Sequence, residues 1–222
     1  MNILITGTSR GIGFALTQKA LSEGASVIAV ARNPSASEDL VKGKYEYKER
    51  LKIIQADLTD PRALASIKSK VESLPHLDVL INNAGVYKED TSIADFQESF
   101  LINSTMPFFL TKELSPKLRL AQNPLSLQIT SMMGSIQDTG GGSYSYRASK
   151  AALNMLFKNL SVDEKWLTSI LVHPGWVQTR MGGENAPLTT TESVAGIWKI
   201  IQSANKGMSG KYVDHSGKSL NW

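Results

Sequence analysis

The sequence predicts an α/β fold: about seven parallel strands in one doubly wound sheet, flanked by helices on both faces. Three observations carry this expectation. Apolar runs and helical patterns alternate along the whole chain, which implies parallel strands joined by helical crossovers. The runs are continuous rather than alternating, as in Ala25 to Ala31 (Ala-Ser-Val-Ile-Ala-Val-Ala), and strands covered on both faces read this way. The first run, Ile3 to Ile5, leads into glycines 7, 11 and 13 and then a helical pattern through Phe14, Leu16, Ala20 and Leu21. Strand, glycine turn and helix are the opening of a βαβ unit.

The remaining elements follow in order. Ala25 to Ala31 is the second strand and Leu51 to Ala56 the third. Asp60 is placed to cap the next helix, with Pro61 in its first turn, where a missing N–H costs nothing. Leu77 to Ile81 is the fourth strand. Asp95 to Ala121 carries helical periodicity, interrupted at Pro107 and Pro116, so two helices or one broken helix are expected. Leu125 to Thr130 is the fifth strand, Ser143 to Glu164 a long helix, and Thr168 to His173 the sixth strand, ended by Pro174-Gly175. Thr191 to Ala204 is a helix and Gly210 to Asp214 a short seventh strand. Ser35 to Lys48 and Gly182 to Thr190 are loop-like in composition. The second of these lies after the sixth strand and reads either as a lid over a substrate or as an ordinary surface loop.

Composition narrows the function classes. The chain has 222 residues, 41% hydrophobic and 20% charged, as expected of one soluble globular domain spanning 1–222. Its net charge is +4, but the basic residues are scattered and form no stripe of the kind nucleic acid requires. Cysteine is absent, which removes disulfides, thiolate metal sites and Cys nucleophiles and fits a reducing compartment. His76, His173 and His215 lie far apart, so no metal site is expected. No signal-type segment or membrane-spanning run is present, and a cytoplasmic location is expected.

Two stretches carry chemistry. The glycine turn precedes a helix N-terminus, whose free N–H groups and partial positive charge suit a pyrophosphate. Gly7 permits the tight turn, Gly11 lets the backbone approach phosphates, and Gly13 lets helix and strand pack closely. At the other end of the chain, Tyr146 and Lys150 stand four residues apart before an Ala-Ala-Leu run. A phenol and an ammonium then share one helical face, one turn apart. A nearby cation favours the phenolate and lowers the Tyr pKa from about 10, which makes Tyr146 a general acid or base. Further strings fall at the carboxyl ends of strands, where ligands bind in such sheets: Asp57-Leu58, Asn82-Asn83-Ala84-Gly85, Ser131, and Pro174-Gly175-Trp176-Val177-Gln178-Thr179.

With Thr6-Gly7-x-x-x-Gly11-x-Gly13, Asp57, Asn82 to Gly85, Asn103, Ser131, Tyr146-x-x-x-Lys150 and Pro174-Gly175 with Thr179, the chain resembles the short-chain dehydrogenase/reductase family. Ser143 to Asn154 and Ser219-Leu220-Asn221-Trp222 resemble its small carbonyl-reductase-like, C-factor-like members. The resemblance implies a Rossmann fold and assigns roles. Tyr146 is the proton donor or acceptor, Lys150 binds the nicotinamide ribose and lowers the Tyr pKa, and Ser131 orients the substrate oxygen. Asn103 holds a water that links Lys150 to solvent. Asp57 contacts adenine, Asn83-Ala84-Gly85 line the cofactor, and Thr179 closes over it. The implied cofactor set is Gly7, Ser9, Arg10, Gly11, Ile12, Gly13, Arg32, Asn33, Asp57, Leu58, Asn83, Ala84, Gly85, Tyr146, Lys150, Pro174, Gly175, Val177 and Thr179. Ser135 is a rival to Ser131, but Gly134 completes a Ser-x-x-Gly string with Ser131. The family often pairs through the helices before and after the fifth strand, which implies a homo-oligomer, dimer or tetramer.

An acid at the end of the second strand would bind the adenosine ribose of NAD, whereas an Arg accommodates the NADP phosphate. This chain has Ala31-Arg32-Asn33 there and Arg10 in the glycine turn. The expectation is an NADP(H)-dependent oxidoreductase acting on a small-molecule carbonyl or alcohol. The alternative is a nucleotide-binding signalling module of the C-factor type.

Overall fold

The computed structural model describes residues 1–222. Seven strands form one sheet: β1 Asn2–Thr6, β2 Ser26–Ala31, β3 Leu51–Gln55, β4 Val79–Asn82, β5 Leu125–Ile129, β6 Thr168–His173 and β7 Lys211–Asp214. Their order is β3-β2-β1-β4-β5-β6-β7, and every pairing is parallel. The chain winds outward from β1 to β3, then returns to place β4 against the other side of β1, with Ile5 opposite Ile81. That reversal opens a crevice at the carboxyl ends of β1 and β4. The glycine turn after β1 and Asn83-Ala84-Gly85 after β4 therefore meet there.

Successive strand residues point to opposite faces, and the apolar runs fill both. Ile3, Ile5, Val27, Ala29, Leu127, Ile170 and Val172 pack with α1 (Gly11–Ser22) and α7 (Thr190–Ser203). Leu4, Ile28, Val30, Leu80 and Leu171 pack with α3 (Ala63–Val71), α5 (Met106–Leu118) and α6 (Tyr144–Asp163). The core has two layers because helices cover both faces of the sheet; on the second face β5 presents the buried Ser126 and Gln128, where Asn82 Nδ2 donates to Gln128 Oε1 at 2.7 Å and to Thr111 Oγ1 at 3.1 Å.

Two expectations are corrected, and a third, the division of the long helical stretch, is met. Ser35 to Lys48 is not a loop: it holds α2, Glu38–Tyr47, preceded by a short 3₁₀ turn over Pro34–Ala36. The Ser37 hydroxyl accepts the Leu40 N–H, and Glu38 and Asp39 occupy the positive first turn, an arrangement that stabilises a helix start. Only Leu40 is buried in α2, so the segment lacks the apolar stripe that reveals a helix in sequence. α3 starts at Ala63 rather than Pro61, because Asp60 first closes its own turn by accepting the Arg62 N–H at 2.9 Å. The long helical stretch divides into α4 (Ile93–Phe100) and α5, joined by a π-helical turn over Leu101–Thr105. Pro107 has no N–H to offer the Asn103 carbonyl, and a wider turn accommodates that gap. Pro116 lies inside α5 without ending it.

The Gly182 to Thr190 segment is a loop, as expected, and it is fastened. Gln178 donates its N–H to Leu188 O at 2.8 Å, and Leu188 returns one to Trp176 O at 3.2 Å. No helix is long and apolar enough to cross a membrane.

Candidate active site

The glycine turn is built from backbone. Gly7 and Gly11 have φ of +72° and +58°, in the left-handed region where a Cβ is unwelcome. A Cβ on Gly13 would lie 2.3 Å from both Gly7 O and Asn83 Nδ2, so only glycine lets α1 start this close to β1. Asn83 Nδ2 donates to Thr6 O at 2.8 Å, while Thr6 Oγ1 accepts the N–H groups of Asn83 and Ala84 at 3.1 and 3.0 Å. The two carboxyl-end turns are thus tied into one frame. α1 begins with no side-chain cap and no acid in its first turn, which leaves its positive end free for an anion.

From this frame a cleft of about 1320 Å³ runs across the carboxyl ends of the strands. It is lined by Gly7, Ser9, Arg10, Gly11, Ile12, Gly13, Arg32, Asn33, Asp57, Leu58, Asn83, Ala84, Gly85, Tyr146, Lys150, Pro174 and Thr179. Arg10 and Arg32 are exposed and enter no ion pair. Asp57 Oδ1 is occupied by Thr59, accepting its N–H at 3.0 Å and its hydroxyl at 2.9 Å. Thr179 faces Gly11, its methyl 3.4 Å from where a Cβ on that glycine would stand.

Gly175 and Val177 do not line the cleft, contrary to expectation. A Cβ on Gly175 would lie 2.3 Å from Leu188 Cδ1 and 3.3 Å from His215 Nδ1. Val177 is buried and bridges to Leu188. Both shape the loop that presents Thr179. Pro174 and Gln178 to Met181 line the cleft, while the stretch between them turns under Leu188.

The catalytic end is made of buried side chains. Tyr146 and Lys150 lie on the first turns of α6, and both are buried. Burial pushes the Tyr146 phenol above its usual value, opposed by the Ser131 hydroxyl beside it, with Tyr87 adding to the rise. This corrects the expected electrostatics. Lys150 Nζ stands 5.8 Å from the Tyr146 ring centre and donates to Ile129 O at 2.9 Å. Burial lowers Lys150 itself to about 8. Removing both groups from water outweighs their proximity, because desolvation penalises each charged form. Tyr146 is held as a neutral proton donor.

Ser131, two residues past β5, is in extended backbone and accepts the Met133 N–H at 3.1 Å. Its rival Ser135 faces elsewhere, donating its hydroxyl to Trp222 O at 3.2 Å. Tyr144, two residues before Tyr146, is exposed. Asn103 lies in the π-helical turn and is fully buried. Its amide clamps Val86, accepting that N–H at 2.8 Å and donating to that carbonyl at 2.9 Å, with a second donation to Ser149 Oγ at 3.0 Å. Neither Asn103 nor Ser131 is part of the cleft surface itself. Asn103 fixes the strand-four turn against α6, immediately behind Gly85, whose added Cβ would meet Asn103 Oδ1 at 3.2 Å and Lys150 Nζ at 3.7 Å.

Sequence reasoning missed Tyr87, Lys88 and Glu98 at this end. The Tyr87 ring lies 5.1 Å from that of Tyr146, and its hydroxyl shares a 2.5 Å hydrogen bond with Ser143 Oγ. Lys88 and Glu98 pair at 2.6 Å. Tyr87 and Lys88 follow the Asn82 to Gly85 string after Val86, a signal that could have found them. Glu98 sits on α4 with no local mark.

The family model described as short chain dehydrogenase matches residues 1–188. The chain belongs to the short-chain dehydrogenase family. It is 41% identical over 154 residues to C-signal of Myxococcus xanthus, covering 66% of this chain and 93% of that one. Among solved structures it is similar to the carbonyl reductase Sniffer of D. melanogaster, with a TM-score of 0.95, 30% identity and coverage of 100% and 99% of the two chains. It is likewise similar to an NADPH-bound carbonyl reductase from chicken fatty liver, with a TM-score of 0.91, 32% identity and coverage of 100% and 98%. For a short-chain dehydrogenase, the crevice between β1 and β4 and the buried Tyr146–Lys150 pair occupy the two ends of one cleft.

Proposed function

We propose that this chain is an NADP(H)-dependent oxidoreductase that reduces a carbonyl to a secondary or primary alcohol, with Tyr146 as the proton donor. One observation carries the reading. A single cleft joins a glycine turn flanked by two unpaired arginines to a buried phenol and ammonium. The likeness to carbonyl reductases, one of them NADPH-bound, supports it.

The residues fit the cofactor. The uncapped start of α1, held close to β1 and to the turn after β4 by Gly13 and Gly7, and the side-chain-free Gly11 suit a pyrophosphate. Arg10 and Arg32 are placed to take a ribose phosphate by charge-assisted hydrogen bonds. When bound, NADPH supplies the hydride. Lys150 would hold the nicotinamide ribose hydroxyls, and Asn83-Ala84-Gly85 would form the wall behind it. Ser131 lies just behind the cleft lining with its hydroxyl beside that of Tyr146, and would help to orient a substrate oxygen that reaches the Tyr146 hydroxyl. Tyr146 gives its proton to that oxygen as negative charge develops there, and Lys150, cationic below about pH 8, stabilises the phenolate left behind.

The raised Tyr146 pKa favours this direction. A phenol that stays protonated is ready to donate, whereas alcohol oxidation requires it to ionise first. The test is NADPH oxidation with a panel of aldehydes, ketones and diketones. Turnover of at least one, with NADPH preferred over NADH, is the expected result. A protein that binds NADPH and turns over nothing would leave the second reading, a nucleotide-binding signalling module, which draws on the likeness to the protein named C-signal.

A further inference from the structure

Ser131 is held by residues far from it in sequence. Its own carbonyl accepts a hydrogen bond from the Tyr212 hydroxyl at 2.6 Å, across 81 positions. Tyr212 lies on β7 and is buried. Burial pushes its phenol up to about 12, so it remains a donor throughout the working pH range. The Trp222 ring packs on the Tyr212 ring at 5.4 Å, and Leu220 donates its N–H to Tyr212 O at 2.9 Å.

The same residues fasten the chain after Ser131. Trp222 O accepts the Gln137 N–H at 3.0 Å and the Ser135 hydroxyl at 3.2 Å, and Asn221 Nδ2 reaches Asp138 Oδ1 at 3.2 Å. From the other side, Asn154 on α6 accepts the Thr130 hydroxyl at 2.6 Å and donates to Gly134 O at 3.4 Å. The peptide carrying Ser131 is therefore gripped before it, at it and after it. The grips come from α6, β7 and residues 220–222.

We propose that Tyr212, braced by Trp222, is a positioning residue that aims the Ser131 hydroxyl at the Tyr146 phenol. Tyr212 does not touch the cleft and acts only through the Ser131 peptide. A single backbone hydrogen bond suffices for this task, since the Ser131 side chain has one rotor between its main chain and the hydroxyl that must meet a substrate oxygen. The inference rests on the reductase reading given above.

The test is a double-mutant cycle of Tyr212→Phe with Ser131→Ala, read by kcat, NADPH affinity and Tm. Tyr212→Phe lowers kcat about tenfold, the worth of one buried hydrogen bond, and leaves the NADPH Kd unchanged. In the Ser131→Ala background the same substitution costs almost nothing, because there is no hydroxyl left to aim. Trp222→Ala reproduces the loss in part. An equal loss in both backgrounds, or a fall in Tm with kcat unchanged, would overturn the proposal. Should the unaltered protein turn over no carbonyl, the reductase reading fails separately, and the amide resonance of Met133 decides this one. That N–H is bonded to Ser131 Oγ, so Tyr212→Phe shifts it if Tyr212 sets the Ser131 rotor, and an unmoved resonance rejects the role.

Discussion

The two ends of the cleft are built on opposite principles. At the β1 end the working groups are backbone amides and freely solvated arginines, and the precision comes from the absence of side chains at Gly7, Gly11 and Gly13. At the β5–α6 end the working groups are side chains taken out of water, and the precision comes from hydrogen bonds between distant elements, such as Asn103 to Val86 and Tyr212 to Ser131. The first end needs space and tolerates solvent. The second needs desolvation, which shifts Tyr146 and Lys150 in opposite directions. Binding and proton transfer should therefore fail independently when each end is altered.

The largest effect on cofactor binding should come from forcing a side chain into the glycine turn. Gly13→Val places carbon against Gly7 O and Asn83 Nδ2. Such overpacking costs about 1–3 kcal/mol, and NADPH affinity should fall about 100-fold, read by fluorescence titration. Retained affinity would mean that the turn is not the phosphate site. Arg32→Asp is next. Replacing a charge-assisted donor by a like charge should move the kcat/KM ratio toward NADH by about 10- to 100-fold. An unchanged ratio would remove Arg32 from phosphate recognition.

The second end offers an effect of opposite sign on stability. The lowered Lys150 pKa means that the folded state binds its proton less tightly than the unfolded chain. Below about pH 8 both states are protonated and folding bears the full burial cost, roughly 3 kcal/mol. That cost disappears as pH rises from about 8 toward 10.5. Lys150→Met also loses the bond to Ile129 O, about 1 kcal/mol. The variant should be more stable by about 1–2 kcal/mol at neutral pH, a gain that shrinks in alkali, while its turnover is lost. In the unaltered protein kcat should decline above about pH 8 as Lys150 loses its proton. Denaturant melts at three pH values check the first claim, and a pH–rate profile the second.

The same contrast explains what the sequence revealed. Glycines needed for space leave a spaced pattern, so the turn at Gly7, Gly11 and Gly13 and the crevice beside it could be read directly. Tyr146 and Lys150 could be read because one helical turn sets their separation. Tyr212, Trp222 and Glu98 could not, because the sheet order and helix packing bring them to the site from far along the chain. The upward direction of the Tyr146 shift is hidden from the sequence for a related reason. Spacing shows that a cation is near, but not that burial acts on both partners. The helix α2 leaves no apolar stripe in the sequence because it buries only Leu40 and rests on a cap and local charge.

The central claim is that the Tyr146 hydroxyl moves a proton and carries little of the cofactor's binding. Kinetics and NADPH titration of Tyr146→Phe, run on one preparation, address it most directly. The account predicts a fall in kcat of about 10³-fold or more, within the range for general acid catalysis, with the NADPH Kd changed less than about twofold. Turnover within about tenfold of the unaltered protein would contradict it, because the hydroxyl would then have no part in the chemistry.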